Sequence, residues 1–297
     1  MKRGRYYLSR VIKLGELNQS RLLDAIAKAP VVPIGEFVWT ITDVTDRRSA
    51  TSPYVFGNLA KFSRQGTVKL VDEPTKQQVE AVAPNLLEAS APFVYLPEFS
   101  GIAFLHVWNG IQEDVFPRRF KAIIEAAYDN FFVDCTIEPV ADYRAFLEKL
   151  SSLNKITELS ARVHPPNPLF GRLWGSLDKY VKRRQATEVA IRETTDSSKG
   201  LSTELVKLIE RILENPKYQP KSEPDITDAA MLMAADGYGH GKAVGIEGDT
   251  EVVVRTAESQ KSFLFEKEPE PEMLATAARM HFERVSEERD EGVQNFV

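Results

Sequence analysis

Two apolar runs, residues 92–96 and 102–108, stand only five residues apart, across Pro97-Glu98-Phe99-Ser100-Gly101. So short a link can close an antiparallel hairpin, but it cannot carry the chain back over a sheet, which takes about a dozen residues or more. A second pair of runs, residues 54–63 and 67–71, flanks Arg64-Gln65-Gly66 and reads as another hairpin. Both links argue against a doubly wound parallel sheet. Helix and strand patterns alternate beyond them. Residues 114–127 set Phe116, Phe120, Ile123 and Ile124 on one side of a helix, 131–137 read as a strand, and 141–150 as a helix. The expected fold is therefore α+β, with antiparallel hairpins, a mixed sheet with packed helices, and two lobes.

The stretch 154–192 has a clear local logic. Ile156, Leu159, Ala161 and Val163 lead into His164-Pro165-Pro166-Asn167-Pro168, where three prolines remove donors and stop a strand. Asn167 then reads as an N-cap with Pro168 at the first helical position. Leu169, Phe170, Leu173, Trp174, Leu177 and Val181 recur at helical spacing and give a buried stripe. Lys179, Lys182, Arg183 and Arg184 crowd the end of this helix, where cations suit the negative end of the dipole. A strand over 186–192 follows. Further on, 202–213 read as a helix, 229–235 as a short strand, and 244–246, 251–256 and 262–266 as strands joined by Gly-rich turns. Residues 271–288 read as a last helix. The Pro- and Lys-containing segment 216–224 marks the expected boundary between a main lobe, 1–215, and a C-terminal segment, 216–297.

Charge is unevenly distributed. The net charge is -5, yet residues 1–71 hold twelve Lys/Arg against five Asp/Glu, while 258–291 hold ten acidic residues against five basic. The single cysteine, Cys135, lies in an apolar run, which points to a reducing compartment and a buried small side chain. The basic start, Met1-Lys2-Arg3-Gly4-Arg5, runs into Tyr6-Tyr7 without an apolar core, so it is not read as a signal peptide. No apolar run approaches the length of a spanning helix. A cytoplasmic protein without direct membrane insertion is expected.

Most chemistry fails on spacing. Gly237-Tyr238-Gly239-His240-Gly241-Lys242 places Lys242 where a dinucleotide fingerprint needs glycine, and Ala243 where a Walker loop needs Ser or Thr. It reads as a glycine-rich turn, with His240 and Lys242 as the alternative contacts to a phosphate. The four histidines, His106, His164, His240 and His281, are scattered and lack cysteine partners, so no metal or cofactor is expected. No acid stands two residues before any lysine, as the common metal-dependent nucleases require. There is no Gly-x-Ser-x-Gly elbow and no HEXXH. Asp134 and Glu138 share a strand face and are read as solvated ends or as the flanks of a site. No catalytic residue is assigned.

Basic clusters remain. Arg172, Lys179, Lys182, Arg183 and Arg184 lie on the polar side of one helix, and Arg118, Arg119 and Lys121 near the start of another. A solvated face and an anion-binding face are the two readings.

In the order of its elements the chain resembles the lambda-type phage-exclusion proteins of the RexA kind. The likeness runs through APFVYLPEFSGIAFLHVWNG, the helix and strand up to CTIEP, LSARVHPPNP with its helix, SSKGLSTELV and GYGHGKAVGIEGD. It implies a homodimer that binds double-stranded DNA with little sequence preference, and a membrane-protein partner of the RexB type that does the damage. It carries over no catalytic residues. The expectation is a non-enzymatic sensor or effector of antiviral defence by abortive infection. The alternative is a nucleotide- or RNA-processing toxin that uses the turn around His240 and Lys242.

Overall fold

The computed structural model describes residues 2–165 and 174–289. In chain order its elements are β1 (Arg3–Gly15), α1 (Gln19–Ala27), β2 (Val32–Ile34), β3 (Phe37–Asp46), β4 (Val55–Asp72), β5 (Gln77–Leu96), β6 (Gly101–Leu105), α2 (Val115–Ala126), β7 (Val133–Pro139), α3 (Tyr143–Ser151), β8 (Lys155–Val163), α4 (Gly175–Arg184), β9 (Val189–Thr194), α5 (Leu205–Glu214), α6 (Ile226–Met233), β10 (Gly239–Glu247), β11 (Thr250–Arg255), β12 (Ser262–Glu266) and α7 (Pro271–Arg289). The fold is α+β. Its strands form two sheets, and every ladder in both is antiparallel, so no mixed sheet forms among the described residues.

The first sheet runs β12-β1-β6-β5-β4-β3-β2, with β7 continuing the β12 side along the second half of β1. Both faces of its centre are covered, and the period of two assigns the residues. Phe93, Tyr95, Ile102 and Phe104 point towards α1 and α2, where they meet Leu22, Ile26, Phe116 and Phe120. Phe104 and Phe116 stack with ring centroids 4.1 Å apart. Val94, Leu96, Ala103 and Leu105 point the other way, onto Leu274, Ala278 and Phe282 of α7. Burial on both faces is why 93–96 and 102–105 read as unbroken apolar runs rather than as alternation.

The second sheet runs β11-β10-β8-β9. Leu159, Ala161, Val163, Val189, Ala243 and Val254 pack beneath α3, α4, α5 and α6, with Phe146, Leu177, Leu208 and Ile209 in the same core. The alternate positions, Glu158, Ser160, Arg162, Arg192, His240 and Lys242, make the opposite face polar. The expected boundary near 216 falls between α5 and α6; beyond it β10 and β11 join the second sheet, whereas β12 and α7 join the first.

Two expected elements are different in the structure. Residues 229–235 are not a strand: Ala229 to Met233 belong to α6, which is buried on all sides and continues into a π-helical turn, Ala234–Tyr238, with Gly237 at φ 87°. A helix apolar all round has no periodicity to separate it from a buried strand. Nor is there a turn at Arg64-Gln65-Gly66. β4 runs straight through it, pairing Gln65 with Pro84 and Gly66 with Ala83. A Cβ at Gly66 would meet Leu86 at 2.5 Å, so this glycine serves close packing. The turn comes at residues 73–76, where Thr75 Oγ1 donates to Asp72 at 2.6 Å and Lys76 takes φ 54°.

Buried polar groups join the two layered halves. Arg10 of β1 donates from Nε to the Asp236 carbonyl at 2.8 Å and from Nη1 to the Phe99 carbonyl at 2.9 Å. The Asp236 carboxylate accepts from Tyr143 Oη at 2.7 Å and lies 2.7 Å from Arg289 Nη1. Both charged partners of this last pair are almost fully enclosed. β1, α3, the π turn and the end of α7 thus meet at a single residue, Asp236.

Candidate nucleic-acid interface

The two expected basic clusters lie on different helices in different layers. α2 packs on β7 and the first sheet, and α4 packs on α6 over the second. Of the expected residues, Arg172 lies outside the described residues, as do Pro166, Asn167 and Pro168 at the expected helix start, and Leu169, Phe170 and Leu173 of the expected stripe. The described part of that stripe behaves as expected, with Trp174 and Leu177 buried and Val181 packed at the edge of the same core.

α4 ends in Lys182, Arg183 and Arg184, all exposed. Gln185 closes the helix in the left-handed conformation, φ 54°, with its N–H donating to the Val181 carbonyl. Cations in this last turn complement the helix dipole. Lys179, one turn earlier, is held by Glu223 at 2.5 Å. The guanidinium carbons of Arg183 and Arg184 each lie 5.9 Å from the Tyr180 ring centroid, and neither has an acidic partner among the described residues.

On α2 two of the three cations are answered by acids. Arg118 pairs with Asp114 at 2.6 Å, and Lys121 with Asp134 at 2.5 Å and Glu125 at 3.5 Å. Partial burial works to lower the Lys121 pKa, but the Asp134 bond and the charges of Asp134 and Glu125 together outweigh it and hold the ammonium above its usual value. Arg119 stands over the Trp39 ring at 5.1 Å.

From Gly239 onward the glycine-rich segment is strand rather than turn. His240 faces Arg162 and Lys242 faces Ser160 across the β10–β8 ladder. A Cβ at Gly239 would fall 2.1 Å from the Arg162 carbonyl oxygen, so glycine permits this close approach to β8. Lys242 is engaged by Glu158 at 2.5 Å, and Arg192 reaches the other oxygen of that carboxylate at 2.5 Å. Hydrogen bonds from Arg192 and then Lys242 hold the Glu158 pKa below the usual carboxylate value. His240 Nδ1 lies 3.9 Å from Glu138, and the nearness of that carboxylate raises the imidazole pKa against the cost of partial burial. Arg162 and His164 both approach Glu188, at 3.3 and 3.8 Å. Asp134 and Glu138 therefore answer different partners, Lys121 and His240, rather than flanking one site. Cys135 is buried, and burial pushes its thiol up to about 12, which removes it as a nucleophile at neutral pH.

Among the described residues no group of three or more His, Cys, Asp or Glu is arranged to hold a metal ion, and no helix is long and apolar enough to cross a membrane. The polar face of the second sheet, opposite the helices that cover it, was not visible in the residue pattern as a site. Its one sequence signal is the alternation of Glu158, Ser160 and Arg162 along β8. No curated protein matches the chain. It belongs to the family described as a domain of unknown function, DUF4747, whose profile matches residues 20–282.

Proposed function

We propose that this chain is a non-enzymatic protein that binds double-stranded DNA largely without regard to sequence, as a sensor or effector in phage exclusion of the RexA type. On this reading it acts in the cytoplasm as a homodimer and signals to a membrane-protein partner of the RexB type. The observation that carries the DNA-binding part is the end of α4: two exposed arginines, Arg183 and Arg184, without an acidic partner among the described residues, beside exposed Lys182. Such a cluster contacts phosphates, which position a protein on a duplex without reading bases. The phage-exclusion part rests on the resemblance in element order. The test is a gel shift with plasmid and with two unrelated linear duplexes, run beside a nuclease assay with and without chelator. Retardation of all three DNAs without cleavage is expected; no retardation of any of them would break the reading.

The second reading, an RNA- or nucleotide-processing toxin, has one observation in its favour: His240 is paired with Glu138 on the same sheet face as Lys242. Against it, Lys242 is taken up by Glu158. Chelator-resistant RNA cleavage that disappears in His240→Gln would establish this reading instead.

A further inference from the structure

β4 and β5 outrun the sheet they belong to. β3 pairs with β4 only as far as Phe62, and β6 pairs with β5 only from Phe93. Residues 63–72 and 77–86 therefore form a ribbon of two strands alone. At about 3.4 Å per residue it extends roughly 30 Å past its neighbours. A two-stranded ribbon is at best marginally stable in water unless something packs against it.

Its two faces differ. Within the ladder Val68 stands opposite Ala81, Leu70 opposite Val79 and Gly66 opposite Ala83, which makes one face wholly apolar over three successive pairs. Leu70 is 50% exposed and Val79 42%. The other face interrupts Val71 and Val82 with Thr67, Lys69, Gln78 and Glu80. An exposed apolar face of this kind marks a binding surface.

The charges at the ribbon's ends indicate what binds there. Along β4, Arg64 lies at the base and Asp72 and Glu73 at the tip; along β5, Lys76 lies at the tip and Glu88 at the base. Two such ribbons laid face to face about a two-fold axis match their charges in either direction. Run antiparallel, Arg64 of one copy meets Glu73 of the other, and Glu88 meets Lys76. Run parallel, Arg64 meets Glu88, and Glu73 meets Lys76. The pattern is self-complementary, as an isologous interface requires. Three cations, Arg64, Lys69 and Lys76, against four acids, Asp72, Glu73, Glu80 and Glu88, do not suit a phosphate backbone.

We infer that the apolar face of this ribbon is a self-association surface whose occupant is the same ribbon of a second copy of this chain. It gives the proposed homodimer its interface, and it depends on the ribbon rather than on DNA binding. The test is sedimentation equilibrium of the full chain at about 10 µM, a concentration at which an interface of ordinary affinity is occupied. The wild type is expected at twice the 33.4 kDa of the chain. Leu70→Asp/Val79→Asp should run as monomer, its self-association weakened by at least about a hundredfold because each carboxylate would be buried without a partner. Val71→Asp/Val82→Asp, on the other face, should remain dimeric, and circular dichroism should be unchanged in both. A monomeric wild type, a dimer unaffected by Leu70→Asp/Val79→Asp, or equal dissociation by both pairs would overturn the proposal. DNA binding is followed separately on the same samples: a ribbon-dependent dimer that ignores DNA supports this interface while breaking the nucleic-acid reading.

Discussion

α2 and α4 each present a cluster of cations on an amphipathic helix, and they differ in what answers the charge. On α2 the acids arrive from three directions: Asp114 just before the helix, Glu125 one turn along, and Asp134 on β7. Arg118 and Lys121 are thus used up within the fold, and Arg119 is held half-buried over Trp39. On α4 Lys179 is answered by a distant residue, Glu223, while Arg183 and Arg184, without an acidic partner among the described residues, lie against Tyr180. A count of cations along a helix therefore does not identify an anion site. The acids brought up by the tertiary fold decide it.

That contrast can be broken most severely by charge reversal. Lys182→Glu/Arg183→Glu/Arg184→Glu should weaken duplex binding by at least about a hundredfold at low salt, since lost phosphate contacts are replaced by repulsion. Arg118→Glu/Lys121→Glu should change it by less than about threefold. Fluorescence anisotropy on one labelled duplex compares the two, and equal losses would end the distinction between the helices. Stability should rank them the other way. Lys121→Met should cost up to about 1 kcal/mol in urea denaturation, because it leaves Asp134 without its cation, whereas Arg183→Gln/Arg184→Gln should stay within about 0.5 kcal/mol. A smaller effect sharpens the picture on α4 itself. Glu223→Gln frees Lys179 and should tighten DNA binding by about two- to threefold; no change would mean that Lys179 is not at the interface.

The smallest expected effect is on pH. The folded-state pKa of His240 is raised by Glu138, so this pair stabilises the fold fully below the unfolded value of 6.5 and loses that contribution as pH rises through the folded value. With the imidazole more than half exposed, the difference should stay below about 1 kcal/mol. Denaturation midpoints of the wild type and His240→Gln should converge above this window; a gap that widens with rising pH would reverse the assignment.

Sequence patterns carried much of the architecture. The hairpin at 97–101 could be read because its link is too short for a crossover, and the α4 stripe because Trp174, Leu177 and Val181 keep helical spacing. α6 could not be read, since a helix buried on every side offers no polar face to set the period. The long ribbon was also hidden: Gly66 looks like a turn residue until Leu86 is seen to fill the space a side chain would need. The candidate site was half visible. The cations of α2 and α4 were equally evident in the chain, but the approach of Asp134 to Lys121, or of Glu158 to Lys242, depends on tertiary contacts that residue spacing does not encode. The junction at Asp236 likewise gathers Arg10 and Arg289 from opposite ends of the chain.

The most direct measurement is the salt slope of duplex binding for the wild type and for Lys182→Gln/Arg183→Gln/Arg184→Gln, which neutralises the last turn of α4 without repulsion. Each phosphate contact contributes about 0.9 to the slope of log affinity against log salt concentration. If the three side chains each engage a phosphate, the variant's slope should be shallower by about 2.7 per protomer. It should also be the same on unrelated sequences. Identical slopes for the two proteins would contradict the account and leave the end of α4 as a solvated helix terminus.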